Sequence, residues 1–229
     1  MTASLKSSFQ EICRLADSSP SHVPGKIANL LEFARQKSSL FSFISEGCSV
    51  LSCLTGKNGD IAQSLAESLL EAARITPQLS QNFMACGLRT LPQVANTNSA
   101  AIKTSPTIEY LVDALLEAGG IMLEHEEGFV CSEFLCSATG GSEERRAFVV
   151  FGPCPPVVIT GCFRGTVPEL DNASGISHKH APEYRRHYQN ICAVASAVMD
   201  KRFAPLPFAE AVALHKQGKP TWPQQLRAA

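Results

Sequence analysis

The residue that could act as a nucleophile is Cys48, in the segment Ser45-Glu46-Gly47-Cys48-Ser49. A cysteine reacts as its thiolate, and a helix N-terminus or a neighbouring imidazolium lowers the thiol pKa and holds the anion. If a helix begins after Gly47, the thiol lies at such a position. His125 is then the predicted general base, with His178 as an alternative, and Glu133 is the carboxylate predicted to orient the base, as in other nucleophile, base and acid triads.

The order of these parts along the chain resembles papain-like cysteine hydrolases in outline. A helical region carries the cysteine, and a strand-rich region that follows carries the histidine and the acid. The resemblance implies a protease, deubiquitinase or deamidase with Cys48 as its nucleophile. The alternative is structural, because Cys48 shares a 3.6-residue apolar stripe with Phe43, Ile44 and Leu51. An unbroken helix would bury it as an inert core thiol.

Thiols and imidazoles in the second half of the chain are residue types that bind zinc. They are Cys131, Cys136, Cys154, Cys162, His178 and His180. Their spacing contains no Cys-x-x-Cys motif. Cys131 and Cys136 lie an odd number of positions apart, so one regular strand would place them on opposite faces. We therefore predict no metal site, and the lack of a phosphate-binding glycine motif predicts no nucleotide cofactor.

Charge and composition exclude several classes of partner. The 229 residues carry 20 Lys and Arg against 21 Asp and Glu, a net charge of −1, scattered without a basic tract. Such a chain is not expected to bind nucleic acid or an anionic membrane surface. No signal peptide or apolar run of about 18 residues is present. The nine cysteines, an odd number, are expected to be mostly reduced and buried, in a cytoplasmic, reducing compartment.

Helical periodicity dominates the chain up to Gly119-Gly120. Ser4 is a candidate N-cap for the first helix, Asp60 with Gln63 fits a capping box, and Thr76-Pro77 fits the start of a further helix. The last helix of this region is predicted from Ser105-Pro106 to the glycine pair. These patterns position Cys48 on a helix of an α-helical bundle.

Short runs of Val, Ile, Phe and Cys follow, and they predict an antiparallel meander. The runs are 121–124, 129–138, 147–151 and 157–163. Both faces of the second run are apolar, which indicates a sheet covered by helices. Residues 165–180 are expected to be a loop, and a long helix led by Pro182 is expected to pack on the sheet.

These patterns predict an α+β fold with a mainly helical N-terminal half, a small antiparallel sheet and a covering C-terminal helix. The predicted parts are residues 1–104 and 105–229, and one continuous domain is equally compatible. Sparse convergence of polar residues favours a protein-binding or regulatory module over any particular enzyme, with the cysteine hydrolase as the alternative. The expected partner is another protein, and self-association is compatible with an open strand edge.

Overall fold

The computed structural model describes residues 4–96, 107–121, 129–138, 146–152, 155–161 and 163–226. They form two compact units, Met1–Gly120 and Ile121–Ala229. The first is helical, and the second contains a five-stranded antiparallel sheet with helices. The predicted α+β class, with helices first and a C-terminal helix after the strands, is confirmed. Among the described helices, none combines the length and the apolar character needed to cross a membrane.

The described residues of the first unit form six α-helices. They are α1 (Leu5–Ser18), α2 (Val23–Gln36), α3 (Leu40–Lys57), α4 (Gly59–Ala73), α5 (Pro77–Asn96) and α6 (Thr107–Ala118). The predicted cap of α1 is present, because the Ser4 Oγ accepts a hydrogen bond from the Ser7 backbone N–H. The cap of α4 is Asn58 and not the predicted Asp60. The Asn58 Oδ1 accepts hydrogen bonds from the backbone N–H groups of Asp60 and Ile61. An asparagine at the N-cap commonly satisfies these donors of the first turn.

Helix α3 lies at the centre of this unit and packs against α1, α4 and α5. Its approach to α4 depends on Gly47, where an added Cβ would lie 2.7 Å from the Leu69 Cδ2 and 3.3 Å from the Phe9 ring. Helix α6 packs on α4 and α5. It therefore belongs to the first unit, although the predicted division at residue 104 assigns it to the second part.

The sheet of the second unit is a meander in which each strand pairs with the next along the chain. Its strands are β1 (Phe129–Cys131), β2 (Leu135–Ala138), β3 (Ala147–Val150), β4 (Val157–Thr160) and β5 (Phe163–Gly165). All four pairings are antiparallel, as predicted. The run 129–138 is a hairpin rather than one strand, because the chain turns at Glu133 and Phe134. Similarly, Gly161, with φ of 51°, separates β4 from β5.

Helices α7 (Val167–Ser177), α8 (Pro182–Met199) and α9 (Phe208–Lys216) complete the second unit. Helix α8 confirms the helix predicted from Pro182. Helix α7 was expected to be a loop, and this prediction was wrong. Thr166 and Glu169 form a capping box, in which the Thr166 backbone N–H donates to the Glu169 Oε2 at 2.7 Å. This reciprocal cap satisfies donors that an isolated first turn would leave unpaired.

One face of the sheet packs against α7 and α8. The buried residues of this core include Cys131, Cys136, Val149, Val158, Leu170, Tyr188 and Ile191. The C-terminal segment completes it at β1, where Trp222 stacks on Phe129 with ring centroids 4.4 Å apart. Thr221 contributes two further bonds, since its Oγ1 accepts from the Cys131 N–H and donates to the Phe129 carbonyl. The outer edge of β1 is therefore covered.

Candidate functional site

Cys48 lies in the middle of α3 rather than at a helix N-terminus. Its side chain is 1% exposed, and its backbone carbonyl accepts a hydrogen bond from the Thr90 Oγ1 of α5. The helix continues through Gly47, which serves close packing against Leu69 and does not begin a new helix. The thiol is thus a core group that solvent does not reach.

Electrostatics at Cys48 also favour the neutral thiol. Burial raises the pKa of Cys48, the neighbouring Cys86 raises it further, and Arg89 opposes both effects only weakly. The cause is the cost of placing an anion in apolar surroundings. The thiolate that a cysteine hydrolase needs is therefore disfavoured at neutral pH.

The other two members of the predicted triad provide no observation that Cys48 is activated. His125 lies outside the described residues. Glu133 is exposed in the turn between β1 and β2, and its backbone N–H donates to the Leu206 carbonyl. The triad as a whole stays a prediction, and the environment of Cys48 argues against an activated nucleophile.

The structure brings together only some of the Cys and His residues that were considered as zinc ligands. Cys131 and Cys136 face each other across the β1–β2 hairpin with their Sγ atoms 2.6 Å apart, because they belong to two strands and not to one. Cys154 and Cys162 lie outside the described residues. His178 stacks on Tyr188, with ring centroids 5.4 Å apart. Within the described part of the chain, no group of three or more potential ligands is placed to hold a metal ion.

Two surface grooves accompany the helices. One of about 320 Å³ lies between α1 and α2, where Glu11 and Lys26 pair with each other. The other, of about 490 Å³, lies between α7 and α8, and Asp171 is the charged residue in its lining. Neither groove brings together a nucleophile, a base and an oxyanion donor, the combination that acyl transfer requires.

Basic residues cluster at the α7–α8 turn in the described part of the second unit. We define the basic corner as Lys179, His180, Arg185 and Arg186, all of which are exposed. Lys179, Arg185 and Arg186 form no ion pair with a carboxylate among the described residues. Glu183 is the acidic residue within this stretch, so three cations face solvent beside one carboxylate.

Aromatic rings hold the basic corner in place. His178 packs edge-on against Tyr184 at 5.9 Å, in addition to its stack on Tyr188, and these contacts join the turn to α8. The Arg185 Nη2 lies 3.8 Å from the position that a Cβ would take at Gly175, so this side chain extends over the end of α7. The sequence shows the adjacent pair Arg185-Arg186, but the loop expected at residues 165–180 did not place Lys179 and His180 beside it. The Thr166 to Glu169 capping box was the signal for α7, the helix that fixes where this turn begins.

Comparison of the chain with protein-family models, with curated proteins and with solved structures gives no match.

Proposed function

We propose that the protein is a protein-binding module and that its basic corner binds an acidic segment of a partner protein. The observation that carries the proposal is a set of exposed cations, Lys179, Arg185 and Arg186, without carboxylate partners in the described chain. The stacking of His178 on Tyr188 joins the turn to α8 and so fixes the backbone that carries these cations. A fixed backbone reduces the conformational entropy that is lost when a partner binds.

The ion pairs of the first unit provide the contrast. There, Lys26 pairs with Glu11, Arg35 with Glu71, Lys57 with Asp17 and Arg74 with Glu117, and each pair joins residues from different helical segments. These cations have their counter-charge within the first unit. Among the described residues, Lys179, Arg185 and Arg186 have no such carboxylate, which favours a counter-charge from outside the chain.

The size of the basic corner favours a peptide over a nucleic acid. Nucleic-acid binding draws on many phosphate contacts spread along a groove or strand. The corner offers three cations within one turn and the start of one helix, on a chain with a net charge of −1. A few carboxylates on an acidic peptide match this number. Because such contacts are exposed, their strength falls as salt shortens the Debye length to about 10 Å at 0.1 M.

The proposal is tested by fluorescence anisotropy with a labelled oligo-glutamate peptide. We expect saturable binding at low salt that weakens as the ionic strength rises. The double variant Lys179→Glu with Arg185→Glu reverses two charges and is expected to weaken binding by at least about tenfold. Circular dichroism establishes that the variant remains folded.

A matched control uses Lys6→Glu with Lys37→Glu, which reverses two exposed cations of the first unit, one in the first turn of α1 and one at the end of α2. This control is expected to retain the affinity of the wild type, because neither charge is in the corner. Equal losses in the control and the double variant would overturn the proposal. An oligonucleotide that binds the corner as tightly as the peptide does would overturn the assignment of an acidic protein segment.

A further inference from the structure

Cys131 and Cys136 form a pair of free thiols at the end of the β1–β2 hairpin. They are direct partners in the strand register, and their Sγ atoms lie 2.6 Å apart. Both side chains are 0% exposed. This distance exceeds a sulfur–sulfur bond of about 2.05 Å by roughly half an ångström. Little movement separates the two thiols from a covalent link.

The position of the pair in the ladder suits a disulfide. The next pair, Ser132 and Leu135, exchanges both of its backbone hydrogen bonds, at 2.8 and 3.3 Å. Because bonded and non-bonded pairs alternate along an antiparallel ladder, Cys131 and Cys136 occupy a non-hydrogen-bonded position. The Cys131 N–H indeed points away from β2, to the Thr221 Oγ1. Such pairs have Cα atoms about 4.5 Å apart, which is within the range that disulfides span.

The described surroundings of the pair are apolar. Val149, Val158 and Ile191 belong to the same apolar core, and no third metal ligand joins the pair among the described residues. Burial raises the pKa of the Cys136 thiol well above its ordinary value, and the neighbouring Cys131 contributes in the same direction. Among the described residues the pair therefore has no further ligand for a metal ion, and burial keeps the Cys136 thiol protonated while the sheet is closed.

We propose that Cys131 and Cys136 are a redox modification site that forms an intramolecular disulfide by exchange with a low-molecular-weight disulfide of the glutathione type. One cysteine loses its proton and attacks the small disulfide, whose sulfur–sulfur bond breaks and releases one small thiol. The second cysteine, also deprotonated, attacks the mixed disulfide and releases the second small thiol. In total, two protein thiols are oxidised to one disulfide and one small disulfide is reduced to two thiols.

Access to the buried sulfur atoms requires the edge of the sheet to open. Strand β1 is three residues long and lies at the edge of the sheet. Its outer side is held by the two bonds of Thr221 and by the Leu206 carbonyl, which accepts from the Glu133 N–H at 2.9 Å. Local opening of such an element costs less than global unfolding. The release of these contacts, including those of Thr221, is therefore expected to limit the rate of the exchange.

The test incubates the native protein in glutathione buffers of increasing oxidised fraction, followed by acid quenching, alkylation in denaturant so that every remaining thiol reacts, digestion and mass spectrometry. We expect the peptide that contains Cys131 and Cys136 to lose two hydrogen atoms and to escape alkylation as the oxidised fraction rises. Thr221→Val keeps the shape of the side chain and removes both hydrogen bonds, so it is expected to accelerate the reaction about tenfold.

The control variant Cys131→Ser is expected to give only the mixed disulfide at Cys136. If this variant does not fold, the wild type and Thr221→Val still decide the question. The proposal is overturned if both cysteines of the wild type and of Thr221→Val are alkylated at every buffer ratio. It is also overturned if each cysteine carries its own glutathione, or if either is bonded to Cys154 or Cys162.

Discussion

At the scale of single residues, the packing of α3 on its neighbours decides what Cys48 can do. The thiol is separated from water, and its raised pKa follows from that burial. The apolar stripe of Phe43, Ile44 and Leu51 was visible in the sequence and predicts this environment. The sequence did not show whether Gly47 begins a helix or lets two helices approach closely. Both roles require only that the residue has no side chain.

The first prediction concerns the reactivity of Cys48. We expect a small alkylating reagent at about pH 8 to modify Cys48 at least about a hundredfold more slowly than the exposed Cys53, because the buried thiol stays protonated. Mass spectrometry of the digested protein measures both sites. Unfolding in urea should abolish the difference. Rapid modification of Cys48 in the native protein below pH 7 would instead support the cysteine hydrolase.

A pair of glycine substitutions tests the packing role of Gly47. In Gly47→Ala the new methyl group meets Leu69 at 2.7 Å, and we expect a net loss of about 1 kcal/mol in the free energy of unfolding. Gly25→Ala in α2 meets nothing within 4 Å. We expect this control to gain about 0.5 kcal/mol from the higher helix propensity of alanine. Urea denaturation measures both, and a Gly47→Ala protein as stable as Gly25→Ala would contradict the packing role.

At the scale of elements, apolar periodicity located most helices but not α7. Helices α1 and α8 have apolar stripes and recognisable starts at Ser4 and Pro182, and both were predicted. Helix α7 contains Asp171, Asn172 and Gly175 and has little apolar periodicity, so its cap was the only clear signal. The turn at Glu133 was missed for a related reason. Apolar residues on both sides of a two-residue turn look like one continuous strand.

The N-cap of α4, Asn58, is predicted to contribute to the stability of the protein. We expect Asn58→Ala to lower the free energy of unfolding by about 1 kcal/mol, since the Asn58 Oδ1 accepts from two backbone N–H groups. Asp60→Ala, the control, removes only a favourable charge in the first turn and should cost about 0.5 kcal/mol or less. Chemical denaturation followed by circular dichroism compares the two. A larger loss of stability in Asp60→Ala than in Asn58→Ala would instead identify Asp60 as the cap.

At the scale of the whole molecule, the change of pattern at Gly119-Gly120 coincides with the boundary between the two compact units. The sequence placed the division earlier, at residue 104, because an amphipathic helix does not reveal which neighbour receives its apolar face. The buried residues Ile108, Leu111 and Leu115 belong to α6, which packs on α4 and α5. Tertiary packing, rather than periodicity, therefore assigns α6 to the first unit.

Two fragments test this assignment. We expect residues 1–120 to fold alone with cooperative thermal unfolding in circular dichroism, because the unit has its own core. Residues 1–104 lack α6 and leave apolar surface of α4 and α5 in water. This shorter fragment is expected to lose cooperativity or to aggregate. Identical unfolding curves for the two fragments would show that α6 contributes nothing to the first unit.

The cover on β1 has a consequence for how the chain is made. Synthesis proceeds from the N-terminus, so β1 leaves the ribosome well before Leu206, Thr221 and Trp222, which complete its edge. During that interval the nascent sheet has an open edge, the kind of surface on which incomplete chains associate. We therefore expect chains stalled before Leu206 to require chaperones far more than full-length chains do. Pull-down of stalled nascent chains with a chaperone measures this, and equal retention at both lengths would contradict it.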